Sequence, residues 1–71
     1  IEPLVDHFTK KINEKNGFQK RFQRAILRHL EGYSWPGNIR ELENMVESHL
    51  IRSESDIVTV EQLDSKYFVR T

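Results

Sequence analysis

The chain has 71 residues, no cysteine, and 11 Lys and Arg against 11 Asp and Glu, for a formal charge of zero. At this length it forms one domain and hides only roughly 60% of the surface its unfolded form exposes, which argues against a deep substrate pocket. The missing cysteines exclude disulfides, thiolate metal ligands and a cysteine nucleophile, and they leave the cytoplasm as the default compartment. No apolar run approaches the about 20 residues needed to cross a bilayer, and no short apolar stretch follows a basic start as a signal peptide requires. The chain opens on Ile1 without an initiator Met and closes on a polar stretch at Thr71, so it reads as a piece of a larger protein. Residues 1 to 30 carry seven Lys or Arg against three Asp or Glu, and residues 31 to 71 carry four against eight. The halves are thus +4 and −4, a dipolar body unlike a uniformly basic nucleic-acid binder.

Pro3 suits the first turn of a helix, where its missing N–H would have no partner, and Leu4, Val5, Phe8 and Ile12 follow at helical spacing. This first helix is predicted to run to about Lys15, with Asn16-Gly17 as its stop. Phe22, Ile26, Leu27 and Leu30 mark the buried stripe of a second helix that Gly32 closes. Lys20, Arg24 and Arg28 recur every four residues along its polar side, a solvated basic stripe or a face toward an acidic neighbour.

Trp35-Pro36-Gly37 forms a compact turn, and Asn38 is placed to cap the helix that follows. In that third helix Ile39, Leu42, Val46, His49 and Leu50 fall on one side, bordered by Met45. Arg52 to Asp56 reads as polar loop, and Ile57-Val58 is too short to stand alone as a sheet. Thr59 and Gln62 have capping-box spacing, predicting a short fourth helix from Val60 that buries Val60 and Leu63. Residues 66–71 extend that helix or begin a linker. The fold class is all-α, a small bundle of three to four helices, with the domain proper at 1–65.

Arg40 lies far from the apolar direction of the third helix, so it points outward. It also sits in the first turn, where the helix dipole disfavours a cation by up to roughly 1 kcal/mol. An anion from outside would meet exposed backbone N–H groups and a guanidinium together. The plain alternative is a surface pair between Arg40 and Glu43 or Glu47. His7, His29 and His49 lie on different helices with no second ligand at metal spacing, so no metal site is expected, and all three read as helix-surface or core-edge residues. No serine sits in a nucleophilic context, so no catalytic residue is assigned.

The run from Gly32 to Asn44, with Tyr33-Ser34-Trp35-Pro36-Gly37-Asn38-Ile39-Arg40-Glu41-Leu42-Glu43 between them, resembles the signature of the AAA+ activators of sigma-54 RNA polymerase, the bacterial enhancer-binding proteins. Pro3-Leu4-Val5 with His7-Phe8 looks like the first lid helix of that family, and Ile57 to Leu63 like its closing turn and last short helix. The resemblance implies an AAA+ lid subdomain in which Arg40 is the sensor II residue, reaching the phosphates of ATP bound with Mg in a preceding αβ subdomain. It places Ile39 and the Gly37-Asn38 backbone near the base or sugar, and leaves Trp35 and Pro36 as the structural turn. It further implies neighbouring subunits of a ring, sigma-54 RNA polymerase as the remodelled target, DNA contact through a separate downstream domain, no membrane partner, a bacterial cytoplasmic location and a monomeric isolated lid.

No phosphate loop with its Lys-Ser or Lys-Thr occurs in the chain, so it is expected to hydrolyse nothing alone. Gln23-Arg24-Ala25 stands where the family usually has Ser-Pro-Glu, so the second helix lacks its usual cap and is expected to begin earlier or fray. The loop after Gly17 also looks short beside the family pattern. A lid of another AAA+ machine, such as a protease unfoldase or helicase loader, and a stand-alone helical interaction or DNA-binding module are the alternatives. Against DNA contact, the third helix presents Glu41, Glu43 and Glu47.

Overall fold

The computed structural model describes residues 1–68; of the segment 66–71 read as an extension or linker, 69–71 lies outside the described residues. Three helices carry the structure: α1 (Glu2–Asn16), α2 (Arg24–Gly32) and α3 (Asn38–Arg52). Two strands, β1 (Arg21–Phe22) and β2 (Ile57–Val58), and two 3-10 turns, Val60–Gln62 and Ser65–Tyr67, complete it. No helix of the described residues is long and apolar enough to cross a membrane.

Helix α1 starts with Pro3 in its first turn and ends at Gly17, whose φ of 70° is the left-handed geometry that glycine adopts without strain. Val5, Phe8 and Ile12 of α1 pack with Ile26 and Leu30 of α2 and Leu42, Met45, Val46 and Leu50 of α3. Two ion pairs lie along the α1–α3 seam, Lys11 Nζ to Glu43 Oε2 at 2.8 Å and Lys15 Nζ to Glu47 Oε2 at 3.8 Å. Partners four residues on in one helix meet partners four residues on in the other, so the two helices run in the same direction.

Sequence and structure part company at several places. Phe22 belongs to a strand and not to the second helix, because its backbone pairs in parallel with Val58, and the flanking amides of Arg21 and Gln23 donate to Asp56 O and Val58 O, each at 2.8 Å. The short Ile57-Val58 run is therefore stabilised by a partner 36 residues away in sequence. The uncapped second helix begins at Arg24, no earlier, since Gln23 spends its side chain elsewhere: its Oε1 accepts the Val60 N–H at 2.9 Å. The expected fourth helix is a single 3-10 turn closed by the predicted capping box, with the Thr59 N–H donating to Gln62 Oε1 at 2.9 Å. Leu63 is buried there, but Val60 is only half-buried.

Lys20 leaves the predicted basic stripe. The Asn13 side chain clasps its backbone on both sides, and Nζ reaches across to Leu50 O at 2.9 Å and Ser53 O at 2.6 Å. Those carbonyls close α3, where the dipole favours a cation and the last C=O groups need donors.

His49 is a core residue, 2% exposed, rather than a surface or edge one. Its Nδ1–H donates to Met45 O at 2.8 Å, and its Nε2 accepts the Asp64 N–H at 3.2 Å, an arrangement that requires the neutral ring. Burial lowers its pKa from the ordinary 6.5, against the opposing influences of the Met45 carbonyl and of Asp64.

Trp35 ties the loop after α2 to the core. Its indole N–H donates to Leu30 O at 2.8 Å, its ring stacks on Tyr67 with centroids 5.4 Å apart, and the Tyr33 ring meets it edge-on at 4.9 Å. Tyr67 is itself 4% exposed.

Two outcomes follow from these contacts. Because the fold favours neutral His49, the unfolded chain takes up its proton more readily, so the stability due to this residue is complete above pH 6.5 and is lost as pH falls below it toward the lowered folded value. Thermal melts at about pH 7.5 and about pH 5.5 should show a drop that a His49→Gln variant lacks. In urea unfolding, Trp35→Phe should cost about 1 kcal/mol for the indole hydrogen bond. Trp35→Ala should cost about 3 kcal/mol, a large share of the roughly 4–10 kcal/mol available to a chain of this size.

Candidate functional site

The segment joining α2 to α3 is a type I turn from Trp35 to Asn38, closed by the Asn38 N–H to Trp35 O at 2.8 Å. Pro36 occupies the turn position that suits its fixed φ, and Gly37 follows at φ −88°, ψ 9°. Trp35 at φ 53° and Asn38 at φ 57° flank the turn in the left-handed region, the only non-glycine residues there among those described. Asparagine tolerates this geometry, whereas for tryptophan it is unfavourable and must be held by the indole bond and ring stack just described.

Gly37 is required for a different reason: a Cβ on it would lie 2.8 Å from Glu41 Cβ. That closeness lets Glu41 Oε1 accept the Gly37 N–H at 2.9 Å. The N-cap position is Gly37, whose N–H this carboxylate accepts, and Asn38, expected to cap the helix, is its first residue instead. The amides of Ile39 and Arg40 have no backbone partner, as expected of the first turn of a helix.

Arg40 is exposed and, among the described residues, makes no hydrogen bond or ion pair. The acids that could have neutralised it are engaged elsewhere: Glu43 by Lys11, Glu47 by Lys15 and Glu41 by Lys66 at 3.5 Å. The Lys11 hydrogen bond and charge hold the Glu43 carboxyl below its usual pKa, and the Gly37 N–H does the same for Glu41. A free guanidinium beside two unpartnered amides can accept an anionic group.

Two grooves flank this point. One of about 190 Å³ is lined by Ile1, Leu4, Trp35, Asn38, Ile39 and Leu42. Ile39 is 56% exposed and Leu4 36%, although both recur at helical spacing with apolar residues that are buried. The other groove, about 480 Å³, has Gly37, Arg40, Asn44, Ser48, Lys66 and Tyr67 among its walls. Asn38 and Ile39 thus border one groove, and Gly37 and Arg40 the other. No group of three His, Cys, Asp or Glu suited to a metal ion occurs among the described residues.

Sequence reading missed the cluster around Glu41, to which Tyr33 Oη donates at 3.1 Å and to which Lys66 is drawn. Glu41 stands one residue beyond the usual capping-box spacing from the N-cap Gly37, and Lys66 is distant in sequence, so no local signal marked either.

Over residues 1–71 the chain matches the AAA+ ATPase lid domain family. It is 43% identical over 56 residues to the nitrogen fixation protein AnfA of Azotobacter vinelandii, covering 78% of this chain and 10% of that protein. It is 40% identical over 58 residues to the Nif-specific regulatory protein of Klebsiella pneumoniae, covering 82% and 11%. With the DNA-binding transcriptional regulator NtrC of Rhizobium meliloti it shares 33% identity over 66 residues, covering 93% and 14%. The chain therefore spans only 10% to 14% of the length of these relatives. No solved structure matches it. Matched from end to end by one family and aligned with one region of each of these regulators, the chain belongs to the AAA+ ATPase lid domain family and corresponds to the lid of sigma-54-dependent activators of the NifA and NtrC type.

Proposed function

We propose that this lid closes over ATP held by an αβ subdomain of its parent, with Arg40 as the sensor II cation on the phosphates. Ile39 and the Gly37-Asn38 backbone lie beside the base or sugar in that closed state. One observation carries the reading: among the described residues Arg40 is left without a counter-ion, while Glu41, Glu43 and Glu47 around it are all engaged. The residues present fit a nucleotide, since an unneutralised cation and free amides suit phosphate and an exposed Ile39 suits an apolar ring face. No group of three His, Cys, Asp or Glu that could hold Mg occurs among the described residues, and we assign the Mg ligands to the αβ subdomain.

The bound nucleotide supplies the energy of phosphoanhydride hydrolysis; this chain supplies the sensing of it. A charge-assisted bond from Arg40 to a terminal phosphate is worth roughly 1.5–3 kcal/mol, enough to bias the lid between open and closed by one to two orders of magnitude. Loss of that bond frees α3 to shift against the αβ subdomain and neighbouring subunits of a ring, and the movement remodels sigma-54 RNA polymerase. DNA contact falls to a separate domain of the parent, and the setting is the bacterial cytoplasm. The 1–65 unit acts as the lid proper, with 66–71 leading onward.

In the full-length parent, Arg40→Ala should reduce ATP turnover or its coupling to transcription by about tenfold to a hundredfold and leave the melting temperature of the lid unchanged. Unaltered turnover and unaltered activation would remove the sensor assignment. The 71-residue chain alone should show no ATPase activity, and its nucleotide affinity in calorimetry should be no tighter than about millimolar. Micromolar ATP binding there would mean the site lies elsewhere.

A further inference from the structure

Glu41 lines the same groove as Arg40, and three donors from two segments, the α2–α3 loop and the Lys66-Tyr67 turn, converge on its carboxylate. Oε1 accepts the Gly37 N–H at 2.9 Å, Oε2 accepts the Tyr33 hydroxyl at 3.1 Å, and Lys66 Nζ stands 3.5 Å from Oε2. The side chain is only 17% exposed. Gly37 is the residue immediately before the Asn38-Ile39-Arg40 start of α3, Tyr33 packs edge-on to Trp35 and Tyr67, and Lys66 precedes Tyr67. We propose that Glu41 is a positioning residue for Arg40: it clamps the turn that aims the guanidinium and fastens that turn to the C-terminal Lys66-Tyr67 segment. This rests on the reading of Arg40 as the phosphate-sensing cation.

The chemistry of the three donors supports the assignment. A carboxylate is the one side-chain group that accepts from a backbone N–H, a phenol and an ammonium at once without needing a proton. The Gly37 N–H, ahead of the Tyr33 hydroxyl and Lys66, keeps the Glu41 carboxyl below its ordinary pKa, so it stays ionised through the neutral range. Any side chain on Gly37 would push Glu41 away, since a Cβ there comes within 2.8 Å of Glu41 Cβ and 3.1 Å of Oε1. Arg40 and Glu41 are adjacent in sequence but point to different duties: one is left without a partner, and the other has three.

The test uses the full-length parent, with ATP KM and kcat measured separately and amide hydrogen exchange followed over residues 33–40. Glu41→Ala should raise KM about tenfold with a smaller change in kcat and speed exchange of that segment about tenfold. Glu41→Gln, whose amide oxygen still accepts the Gly37 N–H but whose NH2 cannot accept from Lys66, should fall between Glu41→Ala and wild type in both readouts. In an Arg40→Ala background, Glu41→Ala should add no further rise in KM, because its effect passes through Arg40. Should Glu41→Ala fail to fold, Tyr33→Phe carries the test, since it removes one donor and keeps the ring packing; it should shift both readouts the same way by a smaller factor. If Arg40→Ala alone leaves KM, kcat and transcriptional activation all untouched, the sensor reading falls and this proposal with it. If Arg40→Ala is impaired but Glu41→Ala, or Tyr33→Phe in its place, behaves as wild type or adds its full effect to that of Arg40→Ala, the positioning role alone is overturned.

Discussion

Trp35 donates its indole N–H to the last-turn carbonyl of Leu30 at 2.8 Å, at the point where α2 gives way to the turn that starts α3. The bond fixes where the chain reverses, and the left-handed backbone of Trp35 is tolerable only while it and the stack on Tyr67 persist. Everything at the start of α3 inherits its direction from this anchor: the type I turn, the Gly37 amide offered to Glu41, and the two residues that diverge into different grooves. A small domain with a thin core has few ways to hold a side chain at a defined angle. Here a strained turn, stapled by one hydrogen bond and a cluster of three aromatic rings, takes the place of bulk.

The charge pattern works toward the same end. The basic first half and acidic second half of the sequence are interlocked in space, with lysines of α1 set against glutamates of α3. Exposed pairs of this kind add little stability. Their consequence lies in what they withhold, since acids bound to α1 and to Lys66 are not available to Arg40. Lys20 follows the same logic at the opposite end of α3, where it satisfies the closing carbonyls. One helix thus carries an engaged cation at its negative end and an unengaged one at its positive end, the less favourable placement and the one that an incoming anion would relieve.

The helical periodicities of α1 and α3 were plain from the sequence, as were Gly17 as a stop and the Trp-Pro-Gly turn. The Thr59–Gln62 capping box was equally plain, although it closes a 3-10 turn rather than a helix. Phe22, Lys20 and His49 were misjudged for one shared reason: each is governed by a partner remote in sequence. Phe22 is drawn out of α2 by Val58, Lys20 is drawn off the basic face by Leu50 and Ser53, and His49 is buried beneath Asp64 and Tyr67. At the candidate site, Arg40 and its neighbours could be named from the motif, whereas Glu41 and Lys66 could not, because only folding brings residue 66 to the start of α3.

The sequence by itself determined the helices, the turn, the family and the cation at the start of the third helix, because propensity, punctuation and motif spacing act over a few residues and are written locally. Only the tertiary structure decided which acids were already engaged, which glutamate caps the turn and that His49 is held as a buried neutral ring. Those properties depend on distances between segments tens of residues apart, and charge and burial are set by distance in space rather than along the chain.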